Sequence, residues 1–228
     1  LIDVRVAAGK MSVKQRNKLL ASMTDEVGDL CLVDNYQQSQ AITMTQSKGV
    51  SVFENQARMM RGLEKLGRLN RAVEFLPDDE IIAERMANNQ GLARPELAVL
   101  MSYSKLWLYD EILASDIPDD PATVEDLVRY FPTPIQVPFR AGIEKHRLRR
   151  EIIATRVTNS LINRVGDTFI FELAEKTGMT VASIVRAFVI AREVYGVRSL
   201  WREIEALDNK VKASVQIDML VEISHLLE

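Results

Sequence analysis

Residues able to carry nucleophilic or metal-assisted chemistry are scarce in this sequence of 228 residues. His146 and His225 are its only histidines, and Cys31 is its only cysteine. A nucleophile needs a neighbouring base and a bound metal needs several ligands, so two histidines far apart in sequence favour neither kind of site. We therefore predict no catalytic residue and no metal ligand in this chain, and we expect Cys31 to be a small core residue.

The glycines do not form a nucleotide-binding fingerprint. A dinucleotide or phosphate site needs clustered glycines, because the backbone must approach the phosphates at the start of a helix. The ten glycines are scattered, and neither G-x-G-x-x-G nor G-x-x-x-x-G-K-[ST] occurs. The sequence predicts no cofactor-binding residue and no bound cofactor here.

One basic stretch could instead bind an anion. Seven lysines or arginines and two glutamates lie between Arg140 and Arg164. Arg149, Arg156 and Arg164 are spaced seven and eight residues apart, which would place them on one helix face. Such a face either contacts an anion or another domain, or is simply solvated and paired with acidic side chains, and we favour the second interpretation.

A helix-turn-helix pattern at 171–189 offers an alternative function. Ala174, Gly178 and Ile184 have the spacing that lets two short helices cross at a tight turn. A DNA reader would present basic and amide side chains on its second helix, but that helix offers only Arg186 and Arg192 among apolar residues. A helical nucleic-acid-binding regulator therefore remains the alternative rather than the preferred hypothesis.

Helix signals recur along the chain, and strand signals are almost absent. The sequence predicts an all-α, multi-helix bundle of about eight to ten helices, with no substantial β-sheet and no Rossmann domain. The longest helix is expected at 142–165, where apolar residues recur every fourth position (Ile153, Val157, Leu161 and Val165). Only Ile135–Phe139, flanked by prolines, hints at a strand.

Domain organisation follows from one break in the pattern. An acidic, proline-containing stretch at 116–122 is the best candidate linker. It would separate a helical half at 1–115 from a second helical half at 123–228. The two halves could also pack as one domain.

Composition limits the location and partners. Apolar residues make up 47% of the chain, which suits a protein with a buried core, and the net charge of −3 gives no general attraction to nucleic acid or an anionic membrane. No apolar run is long enough to span a bilayer, and no signal peptide is visible. We expect a cytoplasmic protein that binds neither nucleic acid nor membrane. Because the sequence starts at Leu1 without a methionine, we also expect it to be a piece of a longer protein.

Several separate blocks resemble one family. They read RNKLLASMTDEVGDLCLVDNYQQ at 16–38, GLARPELAVLMSYSK at 91–105, PDDP at 118–121, YFP at 130–132, HRLRREIIATRVTN at 146–159, RVGDTF at 164–169 and LWREIEALD at 200–208. In this order and over essentially the whole chain, they resemble the C-terminal helical region of the large bacterial NAD-dependent glutamate dehydrogenases.

The resemblance implies a parent enzyme that converts glutamate to 2-oxoglutarate and ammonia while hydride passes to NAD. It implies a homo-oligomer whose nucleotide- and glutamate-binding segments precede Leu1. The parent would use NAD, whereas this chain would be a non-catalytic helical domain with a structural, assembly or regulatory role. A stand-alone oligomerisation module is a third hypothesis.

Polar side chains in the first block are candidates for interdomain contacts. Asn35, Tyr36 and Gln38 follow an apolar stretch of the second predicted helix. Polar groups on such a helix usually hydrogen-bond to a neighbouring element. That element is either the upstream catalytic domain of the same chain or another part of the bundle, and we favour the bundle. Arg149, Arg156 and Arg164 complete the set of candidate contact residues.

Overall fold

The computed structural model describes residues 1–227, and every regular element in that range is helical. The fourteen α-helices are α1 (Ile2–Ala7), α2 (Val13–Ser22), α3 (Thr24–Lys48), α4 (Phe53–Lys65), α5 (Asp79–Ala87), α6 (Arg94–Ala114), α7 (Val124–Val128), α8 (Thr133–Gln136), α9 (Arg140–Glu144), α10 (Arg149–Val165), α11 (Phe169–Thr177), α12 (Val181–Val194), α13 (Val197–Glu205) and α14 (Ala213–Leu227). The predicted all-α fold is confirmed. The helices outnumber the predicted eight to ten, and the proline-containing region contributes three of them, α7, α8 and α9, each five residues long or shorter.

Helices α6 and α10 form the centre of the core. The four residues predicted to recur along α10 are all buried, and Leu100 and Leu108 of α6 have no exposed surface. The other long helices, α3, α12 and α14, pack around this pair. Since α6 precedes the predicted linker and α10 follows it, the two predicted halves share one core.

The prediction of the longest helix is wrong. α3, with 25 residues, is the longest, and the expected helix at 142–165 is divided into α9 and α10. Between them, Nδ1 of His146 accepts a hydrogen bond from the backbone N–H of Leu148 at 3.2 Å. A side chain that binds a nearby backbone N–H competes with the helical hydrogen bonds, so the chain turns before α10 begins.

The stretch predicted as a linker is folded against the core. Residues Ile117–Asp119 and Pro121–Thr123 form two short 3₁₀ turns. Ile117 and Pro118 are buried, and the first turn packs against α10. The strand hinted at Ile135–Phe139 is absent from the described residues, because this segment begins inside α8, where Pro134 occupies the first turn of the helix.

The local start and stop signals act largely as helix-capping rules require. Ser12 and Gln15 form a reciprocal capping box at the start of α2, and Pro95 lies in the first turn of α6. Gly178 ends α11 with φ of +67°, a conformation that costs glycine least. None of the helices between residues 1 and 227 combines the length and apolar character needed to cross a bilayer.

Cys31 is exposed, which contradicts its predicted place in the core. The buried residues of α3 are Gln40, Ala41, Met44 and Thr45, all in the second half of the helix. The first half, which contains Cys31, extends along a more open side of the bundle. The apolar neighbourhood of Cys31 in sequence therefore did not indicate burial within this chain.

Candidate functional site

The helix-turn-helix segment is built from α11 and α12, but its cations are already paired. Arg186 lies against the carboxylates of Asp116 and Asp120. Arg192 is buried with only 1% of its side chain exposed. Among the described residues, α12 has no other lysine or arginine, so the helix offers no unpaired cation to a DNA groove. This geometry gives the nucleic-acid hypothesis no support.

Arg192 belongs to a buried ion network. Its guanidinium donates to Oδ2 of Asp126 at 2.8 Å, and Arg198 donates to Oδ1 of the same carboxylate at 2.7 Å. Both arginines also contact Glu193, at 2.9 and 2.8 Å. Burial opposes ionisation of Asp126, but the two guanidiniums outweigh burial and lower its pKa. The network ties α7, α12 and α13 together.

An open cleft of about 540 Å³ lies beside this network. We call it the arginine cleft, because five arginines line it: Arg129, Arg156, Arg164, Arg198 and Arg202. Asp34, Gln37, Asn159, Ser160, Glu193, Gly196, Ser199 and Trp201 complete the lining. Four segments contribute to it: α3, the end of α7, α10, and the stretch from the end of α12 through α13.

Two of the three arginines predicted to share a face meet in this cleft. Arg164 is buried, pairs with Glu205 at 2.7 Å, and lies 4.8 Å over the ring of Trp201. Arg156 also lines the cleft, and its Nε is buried with no hydrogen-bond partner among the described residues. Arg149 lies elsewhere and pairs with Asp119 at 3.1 Å.

The polar residues predicted on α3 divide between the bundle and solvent. The Tyr36 hydroxyl donates to Oδ1 of Asp208 at 2.9 Å, and burial together with that carboxylate raises the pKa of Tyr36 to about 12. Gln40 donates to the same hydroxyl at 3.2 Å. Asn35 and Gln38 are exposed, and the side-chain amide of Gln38 donates to the backbone carbonyl of Asp34 in the same helix at 3.3 Å. Tyr36 thus fastens the middle of α3 to the loop before α14.

The first half of α3 exposes apolar side chains on every side of one turn. We call Leu30, Cys31, Leu32 and Val33 the apolar turn. All four are exposed, Leu32 by 67% and Leu30 by 38%. Successive residues of a helix point about 100° apart, so four in a row cover its whole circumference. A helix turn that is apolar all round is normally buried, whereas the apolar turn is exposed among the described residues and is flanked by Asp29 and Asp34.

The histidines form no metal site in the described part of the chain. No group of three or more His, Cys, Asp or Glu side chains is placed to hold a metal ion. The expectation that neither histidine has a Glu-x-x-His spacing is wrong, because Glu222 and His225 have it. They approach to 3.8 Å on an exposed face, where the spacing serves as a weak helical pair.

Sequence comparisons match the chain to two family models. The model described as "Glutamate dehydrogenase, C-terminal" matches residues 89–228. The model described as "Bacterial NAD-glutamate dehydrogenase, catalytic domain" matches residues 1–45. The second match contains α1, α2, most of α3 and the whole apolar turn. The two matches divide the chain between 45 and 89, whereas the predicted linker at 116–122 lies inside the first match.

The similar proteins found by whole-sequence comparison include three that are named NAD-specific glutamate dehydrogenase. The protein of Halomonas elongata is 44% identical over 227 residues, that of Pseudomonas aeruginosa 43% over 226, and that of Mycobacterium tuberculosis 37% over 219. These alignments cover 100%, 99% and 96% of this chain. In each case they cover 14% of the relative, so the chain spans about one seventh of the length of these proteins.

Proposed function

The chain belongs to the glutamate dehydrogenase family, as the match of its C-terminal model to residues 89–228 shows, and from that membership we propose that it joins the catalytic part of a large NAD-specific enzyme to a C-terminal helical domain. In this proposal residues 1–45 complete the catalytic domain, and the rest forms a helical support that contributes no catalytic residue. α3 crosses the boundary without a break.

The reaction that we propose for the whole enzyme is the one described by its relatives' name, NAD-specific glutamate dehydrogenase. The whole enzyme would convert glutamate, NAD and water to 2-oxoglutarate, ammonium, NADH and a proton, with hydride leaving the α-carbon of glutamate for the nicotinamide. The chain would take part indirectly, through assembly or through regulation of the catalytic domain. We include in the proposal a cytoplasmic location and a homo-oligomeric enzyme, both implied by the family resemblance.

The observation that carries the proposal is the apolar turn. Its four exposed side chains belong to the segment that matches the catalytic-domain model. Fully burying a large apolar side chain stabilises a protein by about 1.5–3 kcal/mol relative to leaving it exposed. A surface that covered the apolar turn would therefore stabilise the assembly substantially. We propose that the remainder of the catalytic domain supplies that surface.

The second half of α3 is anchored in the helical bundle. Met44 is buried against the core, and Gln40 lies between Tyr36 and Arg164, with its Oε1 accepting from Arg164 at 3.4 Å. Arg94, at the start of α6, also donates to Thr43 at 2.9 Å. A continuous helix held at one end by the bundle would fix the position of whatever docks on its other end.

A lysine in the apolar turn tests this role in the full-length enzyme. Leu32→Lys would place a charge in the proposed interface, and we expect NADH formation to fall at least tenfold, because desolvating an unpaired ammonium costs more than the roughly 1.4 kcal/mol that corresponds to a factor of ten. Glutamate-dependent absorbance of NADH at saturating substrate measures the effect.

Val194→Lys is the matched control. Val194 is 74% exposed on α12, outside the residues that match the catalytic-domain model. A lysine there should leave the rate unchanged. Equal rates for the two variants would refute the docking role of the apolar turn.

A further inference from the structure

We propose that the arginine cleft is a binding site for a small anion that carries two adjacent phosphate groups. The inference does not rest on the proposed function, since the cleft is defined by α3, α7, α10, α12 and α13 and the apolar turn lies outside its lining. Two features carry it: an excess of unpaired guanidiniums and a helix start that faces the cleft.

The charge of the lining is not balanced by the protein. Arg164 is neutralised by Glu205, and Arg198 shares Asp126 and Glu193 with Arg192. The remaining three cations, Arg129, Arg156 and Arg202, have no carboxylate at ion-pair distance in residues 1–227, and Asp34 is the one carboxylate of the lining outside the network. The cleft therefore holds a local excess of about two positive charges.

Two helices direct this excess of positive charge into the arginine cleft. Arg156, Ser160 and Arg164 repeat at intervals of four along α10, so they lie on one face. Arg198 and Arg202 have the same spacing on α13. Converging guanidiniums are repelled by one another unless an anion separates them, and their planar forks suit phosphate oxygens.

The N-terminus of α13 faces the arginine cleft. Its N-cap is Gly196, which has φ of +60° and no side chain to cap the helix, and Ser199 in its first turn also lines the cleft. Uncapped N–H groups and the positive end of the helix dipole favour an anion at this position.

The size and charge of the cleft favour a diphosphate over a carboxylate. A volume of about 540 Å³ is in the range of small-molecule sites. A phosphate group carries about 1.5 to 2 negative charges at neutral pH, so two linked phosphates can satisfy several guanidinium forks together. A dicarboxylate brings less charge and fewer acceptor oxygens.

Calorimetric titration of the full-length enzyme with inorganic pyrophosphate tests the proposal. Saturating NAD is included so that the proposed dinucleotide site is filled. We expect one saturable site per chain in the unchanged enzyme and dissociation constants at least tenfold higher in Arg156→Gln and in Arg202→Gln, because each replacement removes a charge-assisted hydrogen bond to the anion. Arg202 is exposed, so its replacement keeps the test valid if Arg156→Gln folds poorly.

The control is Arg147→Gln, which removes an exposed arginine outside the cleft and should not change the affinity. Two results would overturn the proposal. The first is no saturable binding, or equal affinity in all variants. The second is succinate binding as tightly as pyrophosphate.

Discussion

Replacing Asp126 by asparagine is expected to destabilise the helical bundle by about 3–5 kcal/mol. The substitution keeps the shape of the side chain but removes the charge beneath two guanidiniums. Arg192, with 1% of its side chain exposed, would keep the Ser160 hydroxyl at 3.0 Å and the carboxylate of Glu193, which is itself half exposed. A buried charge that loses its main partner is costly because neither solvent nor protein compensates it. Urea unfolding followed by circular dichroism measures the change.

Asp119→Asn is the matched control for this loss. Asp119 also contacts two arginines, Arg149 and Arg150, but its side chain is 50% exposed. Exposed ion pairs contribute about 0–1 kcal/mol, so this variant should unfold close to the unchanged chain. If both variants lost the same stability, burial would not be what makes the Asp126 network strong.

The Asp126 network also predicts how stability depends on acidity. The pKa of Asp126 is lower in the folded state than its ordinary value of 3.8. A depressed pKa means that its contribution is present above the unfolded pKa and is lost as pH falls through the folded one. The difference between the unchanged chain and Asp126→Asn should therefore be constant near neutral pH and shrink only below about pH 4.

The second large effect has the opposite sign: Asp167→Asn is expected to stabilise the chain at pH 7.5. Asp167 is buried, and burial raises its pKa from 3.8 to about 6. Gln56 donates to its carboxylate at 3.4 Å, and Lys48 exerts a weaker opposing attraction. An asparagine accepts the same hydrogen bond without a charge. A difference of about two pH units, at roughly 1.4 kcal/mol each, sets an upper limit of about 3 kcal/mol for the gain.

The pH dependence separates this effect from improved packing. A raised pKa means that the carboxyl favours folding below its unfolded pKa and that this contribution is lost as pH rises through about 6. Thermal unfolding at pH 7.5 should thus show a higher midpoint for Asp167→Asn. At pH 4 the two midpoints should nearly coincide. A higher midpoint of the same size at both values would contradict the assignment of the cost to the charge.

Periodicity predicted the centre of the fold well. Ile153, Val157 and Leu161 recur every fourth residue, which places them on one face of a helix. That face is buried in the structure. The boundaries were harder, because they depend on local competition. The bond between Leu148 N–H and His146 ends the expected long helix, and nothing in the apolar pattern announces it.

Cys31 shows why the apolar turn could not be interpreted from its sequence alone. Leu30 to Val33 have the composition of a core segment, and the sequence gives no sign of which protein surface covers them. Burial of such a segment depends on the rest of the assembly. The match of residues 1–45 to a catalytic-domain model is the observation from which we propose the catalytic domain as the covering surface.

The candidate sites were predicted only in part. The spacing of Arg156 and Arg164 placed them on one helix, and both line the arginine cleft. Arg129, Arg198 and Arg202 come from elsewhere in the chain, so their convergence depends on tertiary packing that no local pattern encodes. The ion pair between Arg164 of α10 and Glu205 of α13 likewise joins two helices and could not be predicted from the sequence.

Alkylation of Cys31 tests most directly whether the apolar turn is an interface with the catalytic domain. Iodoacetamide labelling of this residue, quantified by peptide mass spectrometry, is compared between the isolated 228-residue chain and the native full-length enzyme. The proposed interface predicts rapid labelling in the isolated chain and labelling at least about tenfold slower in the native enzyme, where a covered thiol reacts only when the interface opens. Equal rates in the two proteins would contradict it.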